Sequence, residues 1–180
     1  MSDLILKDPK FDALRNAIYH TERCQFFAFA NRCLSFLVIL FSAGIAAKWA
    51  RHVHLDDTWI ELAVVAAATI QLVFDFGGAS KTHEFLQRRY YELVAEMEGQ
   101  DLADEAARRS WSAKIFTIAA EEPMTMRALD AIAYNKALDA MYAPEDKAKY
   151  RQRVSNWQYC CRHFFAYQDA DFSPATDHAL

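Results

Sequence analysis

The sequence contains little glycine or proline, with four of each in 180 residues. Stretches in which apolar and polar residues alternate, the pattern of a half-buried strand, are also scarce. Because glycine and proline interrupt helices and form turns, their scarcity favours long helices joined by short connections. A hydrophobic content of 53% with 24% charged residues is typical of an ordered chain. The composition therefore predicts an all-α protein.

The chain has no excess of positive charge. Its formal net charge is -4, and no run of Lys and Arg reaches five residues. Proteins that bind nucleic acids draw much of their affinity from Lys and Arg placed against phosphates. We therefore expect no nucleic-acid partner.

Motifs for catalysis and for metal binding are missing as well. The four cysteines have no C-x-x-C spacing, and no Glu-x-x-His pair of a di-iron helical protein occurs. The motifs of nucleophile elbows, zinc proteases and phosphate loops are also absent. His52 and His54 form a His-x-His pair without a third ligand, and neighbouring His83 and Glu84 point about 100° apart on a helix. We predict no enzyme activity, no catalytic or cofactor-binding residue, no cofactor and no metal site.

Two long apolar runs are the main feature that is present. Residues 33–47 read CLSFLVILFSAGIAA, and residues 59–76 read WIELAVVAAATIQLVFDF. Read from Cys33 to Ala50, the first run has 18 residues like the second, and a helix of 18 residues rises about 27 Å, close to the thickness of the hydrocarbon of a bilayer. The first run is apolar on every face, whereas a helix in a soluble bundle keeps a polar stripe. The pattern predicts a two-helix transmembrane hairpin at 33–77, and a buried hairpin in a soluble bundle is the alternative.

The distribution of Lys and Arg predicts the orientation of this hairpin. Cytoplasmic flanks of membrane spans are enriched in these residues, so we expect both termini in the cytoplasm. Five precede the hairpin, three follow it and two lie in its turn: Lys7, Lys10, Arg15, Arg23 and Arg32; Lys81, Arg88 and Arg89; Lys48 and Arg51.

The hairpin divides the rest of the chain into three predicted parts. Residues 1–32 form a cytoplasmic N-terminal helix, 78–168 a cytoplasmic helical region and 169–180 a flexible tail. Two stripes with 4-3 spacing predict that the cytoplasmic helices form a small bundle or a coiled-coil-like assembly. The stripes are Leu86, Tyr90, Leu93 and Met97, and Tyr150, Val154, Trp157, Cys161 and Phe164.

Local signals also predict where helices begin around the second run. Thr58 and Glu61 have the spacing of a capping box. Gly77 and Gly78 permit a turn, after which Ser80 is placed to cap the next helix.

Six polar residues in or beside the runs are candidates for lining or gating a pore. Ionisable side chains inside a membrane are costly and often functional, so Asp75 is the best candidate for a gate, with Arg32 as its partner. Hydroxyl and amide groups on the runs could line a pore in a homo-oligomer, or they could bond within or between helices. These groups belong to Ser35, Ser42, Thr69 and Gln71.

Residues 15–47, 71–98 and 121–142 together resemble the SLATT proteins, the SMODS and SLOG-associating two-transmembrane effector domains of prokaryotic conflict systems. The resemblance covers about residues 10–165 as one domain. It implies a homo-oligomeric effector of antiviral defence in the bacterial inner membrane. Such an effector permeabilises the bilayer when a nucleotide-signalling or sensor partner protein triggers it.

Two other functions stay open at this point. In the first, the hairpin only anchors a helical interaction scaffold to the membrane. In the second, the chain is a soluble helical enzyme that depends on a metal.

Overall fold

The structure is a computed structural model that describes residues 8–42, 56–99, 104–172 and 174. These residues form helices and no strand, which confirms the all-α prediction. The chain divides into two compact units, the larger unit (Met1–Arg23 with His83–Leu180) and the apolar unit (Cys24–Thr82). In chain order the helices are α1 (Pro9–Ser42), α2 (Asp57–Phe74), α3 (Phe76–Met97), α4 (Glu105–Ala119), α5 (Arg127–Met141), α6 (Pro144–Tyr150) and α7 (Asn156–Cys161).

Helix α2 of the apolar unit begins after an aspartate cap. Asp56 is the N-cap, and its carboxylate accepts a hydrogen bond from the backbone N–H of Thr58 at 2.9 Å. The predicted capping box of Thr58 and Glu61 is therefore wrong, because the chain already supplies an acceptor two residues earlier. Glu61 is exposed one turn into the helix. The predicted turn that precedes α2, with Lys48, Arg51, His52 and His54, lies outside the described residues.

A single residue, Asp75, separates α2 from α3. Its backbone is left-handed, with φ 39° and ψ 55°, which ends α2. Its carboxylate Oδ1 then accepts a hydrogen bond from the N–H of Gly78 at 3.0 Å, so the same residue caps the start of α3. A Cβ atom at Gly78 would overlap this carboxylate, which explains the glycine.

The predicted turn at Gly77 and Gly78 is accordingly wrong, since both glycines lie inside the first turn of α3. Ser80 is not a cap either. Its hydroxyl donates to the backbone carbonyl oxygen of Cys24 at 3.2 Å.

The first core of the larger unit is formed by α1, α3 and α4. The predicted stripe on α3 is buried along its whole length, which confirms that it is a packing surface. Small residues on α1, Ala13 and Ala17, let α3 approach closely, and Trp111 and Ile118 of α4 complete the cluster. The partners of the stripe belong to the same chain, so its burial requires no coiled coil between chains.

Helix α5 packs against α1 in a second set of contacts. The ring of Phe11 meets the edge of Tyr134 at 5.1 Å between centroids. Arg15 binds Asp130 with two nitrogens, with 2.7 Å from Nε to Oδ1. Because α3, α4 and α5 all pack on it, the first part of α1 is central to the larger unit.

The second predicted stripe, from Tyr150 to Phe164, is wrong. Helix α6 ends at Tyr150, and a capping box at Ser155 begins the separate helix α7. In this box Ser155 Oγ accepts from the Gln158 N–H at 3.2 Å, and Gln158 Oε1 accepts from the Ser155 N–H at 2.8 Å. Trp157 and Phe164, which the stripe would bury, are exposed.

The chain remains packed beyond residue 168. Phe172 is buried against Ala128 and Ala131 of α5. The sequence placed the start of a flexible tail at residue 169, whereas the packed chain extends at least to Phe172. Residues 175–180 of that tail lie outside the described residues.

Candidate functional site

The structure contains two helical segments that are long and apolar enough to cross a membrane. They are Pro9–Ser42 and Thr58–Met97, which meet this criterion by length and composition alone. The apolar core helix of a soluble protein passes the same test, but it is mostly buried by its own protein. In the first segment 0% of the apolar 18-residue stretch is buried, and in the second segment 6% is buried. These two apolar stretches therefore do not have the burial of soluble core helices, although other parts of both segments are buried in the larger unit.

Large apolar side chains cover the outer surface of the apolar unit. A continuous exposed apolar surface is unusual for a soluble monomer and marks contact with lipid or with another protein. The exposed side chains are Phe36, Leu37 and Ile39 of α1, and Leu62, Val65, Ile70, Leu72, Val73 and Phe74 of α2.

Polar groups between α1 and α2 are paired with each other. The amide nitrogen of Gln71 donates to Asn31 Oδ1 at 3.0 Å and to Ser35 Oγ at 2.9 Å. In a medium without water, such bonds spare polar groups the cost of being buried unpaired. The structure thus brings together two of the six predicted pore residues, Ser35 and Gln71, as a contact between helices.

The other four predicted residues do not form a joint site. Asp75 caps α3, Arg32 is exposed, and within the described ranges no ion pair joins these two residues. Ser42 and Thr69 are exposed. Thr69 lies two residues before Gln71, which places it about 160° away around α2, on the side opposite the α1 contact.

A buried histidine pair in the larger unit was missed by the sequence analysis. His20 of α1 is 0% exposed and His83 of α3 is 3% exposed. Their Nδ1 atoms lie 2.8 Å apart. Because an imidazole nitrogen either donates or accepts a hydrogen bond, the Nδ1–H of one ring must donate to the unprotonated Nδ1 of the other.

Glu122 and Tyr90 complete the surroundings of the pair. His20 Nε2 lies 3.2 Å from Glu122 Oε1, and the hydroxyl of Tyr90 donates to the same oxygen at 2.5 Å. The Tyr90 ring stacks on His20 with 5.7 Å between centroids. Burial and the neighbouring carboxylate raise the pKa of Tyr90 far above its ordinary value, so the hydroxyl keeps the proton that it donates.

Burial is also the main reason why the pKa of His83 falls to about 3 from an ordinary value of 6.5. Electrostatic interactions with the neighbouring His20 and Arg23 lower it further. His83 is therefore neutral at physiological pH. No group of three or more His, Cys, Asp or Glu side chains that could hold a metal ion occurs in the described part of the chain.

We expect the larger unit to lose stability as the pH falls below 6.5. Unfolded His83 binds a proton near pH 6.5, whereas folded His83 binds one only near pH 3. The unfolded state therefore holds more protons in this window, and His83 lowers the free energy of unfolding by up to about 1.4 kcal/mol per pH unit. Thermal unfolding of the full chain in detergent, measured from pH 7.5 down to 4.5, tests this.

The His83→Gln variant is the control for this prediction, because it removes the titrating group and keeps a polar side chain. Its stability should fall less steeply with acid than that of the unaltered chain. Parallel pH profiles for the two proteins would contradict the role of His83. His163, whose pKa burial lowers to about 4, remains in both proteins and cancels in the comparison.

No protein-family model, curated protein or solved structure matches this chain. The resemblance to the SLATT proteins therefore stays a prediction.

Proposed function

We propose that this chain is a two-span membrane protein that permeabilises the bacterial inner membrane as a homo-oligomer. Its hairpin consists of the apolar part of α1 and of α2, and both termini lie in the cytoplasm. The larger unit is then the cytoplasmic helical bundle, and a nucleotide-signalling or sensor protein is the trigger. The observation that supports insertion into the membrane is the apolar outer surface of α1 and α2. Its large side chains are exposed, because neither helix covers them.

The polar residues of the hairpin support assembly into an oligomer. Gln71 and Ser35 satisfy each other inside one chain, so they need no second copy. Thr69 faces away from α1, and Ser42 is exposed near the end of α1. Polar groups on an outer surface of this kind are favoured where they face water or another helix rather than lipid. In an oligomer Thr69 and Ser42 would line the pore, and Asp75 would attract cations at its end.

Uptake of an impermeant dye by cells that overexpress the chain tests permeabilisation, because a high concentration drives assembly by mass action. We expect dye to enter, and we expect Thr69→Val to reduce the entry several-fold at equal membrane content. Thr117→Val is the matched control, because Thr117 is an exposed threonine on α4 that bonds to the Ala113 carbonyl of its own helix. Equal dye entry for both variants would argue against a pore lined by Thr69.

The second candidate function is a membrane-anchored scaffold in which the hairpin only tethers the larger unit. The hydrogen bonds of Ser35, Gln71 and Asp75 favour it, because they give three of the six predicted pore residues a structural role. This function predicts a membrane-bound chain in cells whose membrane potential stays intact. The same overexpression experiment therefore separates the two functions.

A further inference from the structure

A basic and aromatic surface on the larger unit has no part in the proposed function. Residues 147–168 contain five Lys and Arg and no Asp or Glu, in a chain whose net charge is -4. We call the cationic and aromatic side chains of residues 147–168 the basic aromatic surface. Its cations are Lys147, Lys149, Arg151, Arg153 and Arg162.

Four large aromatic side chains of this surface point into solvent. Trp157 is 68% exposed and Phe164 is 67% exposed, and more than half of Tyr159 and of Phe165 is exposed as well. The guanidinium of Arg162 lies over the Tyr159 ring at 4.4 Å from its centroid. Cations and amphipathic aromatic rings are therefore interleaved.

The surface is held in place by the rest of the larger unit. The capping box of Ser155 fixes the start of α7. Arg23 of α1 donates to the backbone carbonyl of His163 at 3.0 Å, and the N–H of Arg127 donates to that of Ala166 at 3.1 Å. Asn135 exchanges two hydrogen bonds, each 2.9 Å long, with the backbone of Gln152. The aromatic side chains are thus displayed by an ordered backbone and do not belong to a frayed end.

We propose that the basic aromatic surface binds the anionic headgroup region of a lipid bilayer. Trp and Tyr prefer the boundary between headgroups and acyl chains, where the ring contacts apolar groups and its polar edge contacts water. A Lys or Arg near an anionic leaflet is attracted by its negative surface charge. Arg153 is exposed and forms no ion pair within the described residues, whereas Arg151 is partly neutralised by Asp139 at 2.5 Å.

The residue that holds the basic aromatic surface, Arg23, is near the predicted span in the sequence. Arg23, which holds His163, precedes Cys33, the first residue of the apolar run, by ten residues of α1. Phe29, an exposed aromatic residue of α1, lies between the two positions. The inference rests on the proposed membrane location, and the experiment below separates the two.

The emission of Trp157 in the presence of vesicles with brominated acyl chains tests the proposal. The full chain is mixed in detergent with vesicles of phosphatidylcholine, with or without phosphatidylglycerol, and the detergent is removed. Subtracting the spectrum of Trp157→Phe isolates the Trp157 signal. We expect bromine to quench at least half of that signal in the anionic vesicles, and high salt to relieve the quenching because it screens the charges.

Two variants serve as controls. Arg153→Glu reverses an exposed charge on the basic aromatic surface and should weaken the quenching, whereas Arg109→Glu reverses an exposed charge on α4 and should leave it unchanged. Adding Phe116→Trp to Trp157→Phe places a tryptophan at an exposed position of α4. Its emission should not be quenched.

Washing the same vesicles with alkaline carbonate measures insertion separately. Quenching of Trp157 with a carbonate-resistant chain supports both the surface and the insertion. Quenching with a chain that carbonate releases supports the surface and contradicts the insertion. Trp157 emission that bromine does not change in anionic vesicles overturns the surface proposal, whether or not the chain resists carbonate, and leaves the aromatic residues to a protein partner.

Discussion

Replacing Val65 with arginine should remove most of the chain from the membrane. Val65 lies near the middle of α2, and its side chain is 61% exposed. At an exposed site in water the change would be almost neutral, whereas an arginine at the centre of a membrane span costs about 3 kcal/mol. That difference is roughly a hundredfold in the insertion equilibrium. Because α2 already carries Glu61 and Gln71, it has little apolarity to spare. The fraction of chain that resists carbonate extraction measures the effect.

Phe116→Arg is the matched control for this prediction. Phe116 is 76% exposed on α4 of the larger unit, so it is as accessible as Val65 but lies outside the predicted spans. It should leave extraction unchanged. A folded Val65→Arg protein that resists carbonate as well as the control would show that lipid does not surround α2.

Truncating Tyr90 to alanine should destabilise the larger unit by about 3–5 kcal/mol, the usual cost of removing a buried aromatic ring. Tyr90 is completely buried in the core of α1, α3 and α4, where it also stacks on His20 and donates to Glu122. Tyr90→Phe keeps the ring but leaves Glu122 without this donor, so its cost should be about 1–3 kcal/mol. Amide hydrogen exchange of α3 and α4, measured on the full chain in detergent, reports both losses.

The adjacent Tyr91 provides the control on the same helix. Its ring is exposed, so Tyr91→Ala removes an equal number of atoms without opening a cavity. The change should alter stability by no more than about 0.5 kcal/mol. Equal losses for Tyr90→Ala and Tyr91→Ala would mean that the core of the larger unit is not centred on Tyr90.

Helix positions were largely predictable because the signals are local. The scarcity of glycine and proline indicated long helices, and α1 spans Pro9–Ser42. The spacing of Leu86, Tyr90 and Met97 indicated a buried stripe, which the larger unit covers. Sequence spacing failed from Tyr150 to Phe164, because a seam requires one continuous helix and the capping box of Ser155 starts a new one.

The histidine pair left only half a signal in the sequence. His83 lies three residues before Leu86 and so continues the buried stripe of α3. That spacing could have predicted its burial. Its partner could not be predicted, because His20 is 63 residues away and reaches His83 only when α1 packs on α3.

The sequence by itself determined that this protein is all-α and that two of its helical segments are long and apolar enough to cross a membrane. Both properties depend on neighbouring residues: backbone hydrogen bonds join residues four apart, and apolar surface adds up along a segment. The tertiary structure alone decided what each polar residue bonds to. Gln71 and Ser35 became a contact between helices, and His20 and His83 became a buried pair. Such partners depend on which distant segments pack together, and that is settled by the burial of whole helix faces rather than by the spacing within any one helix.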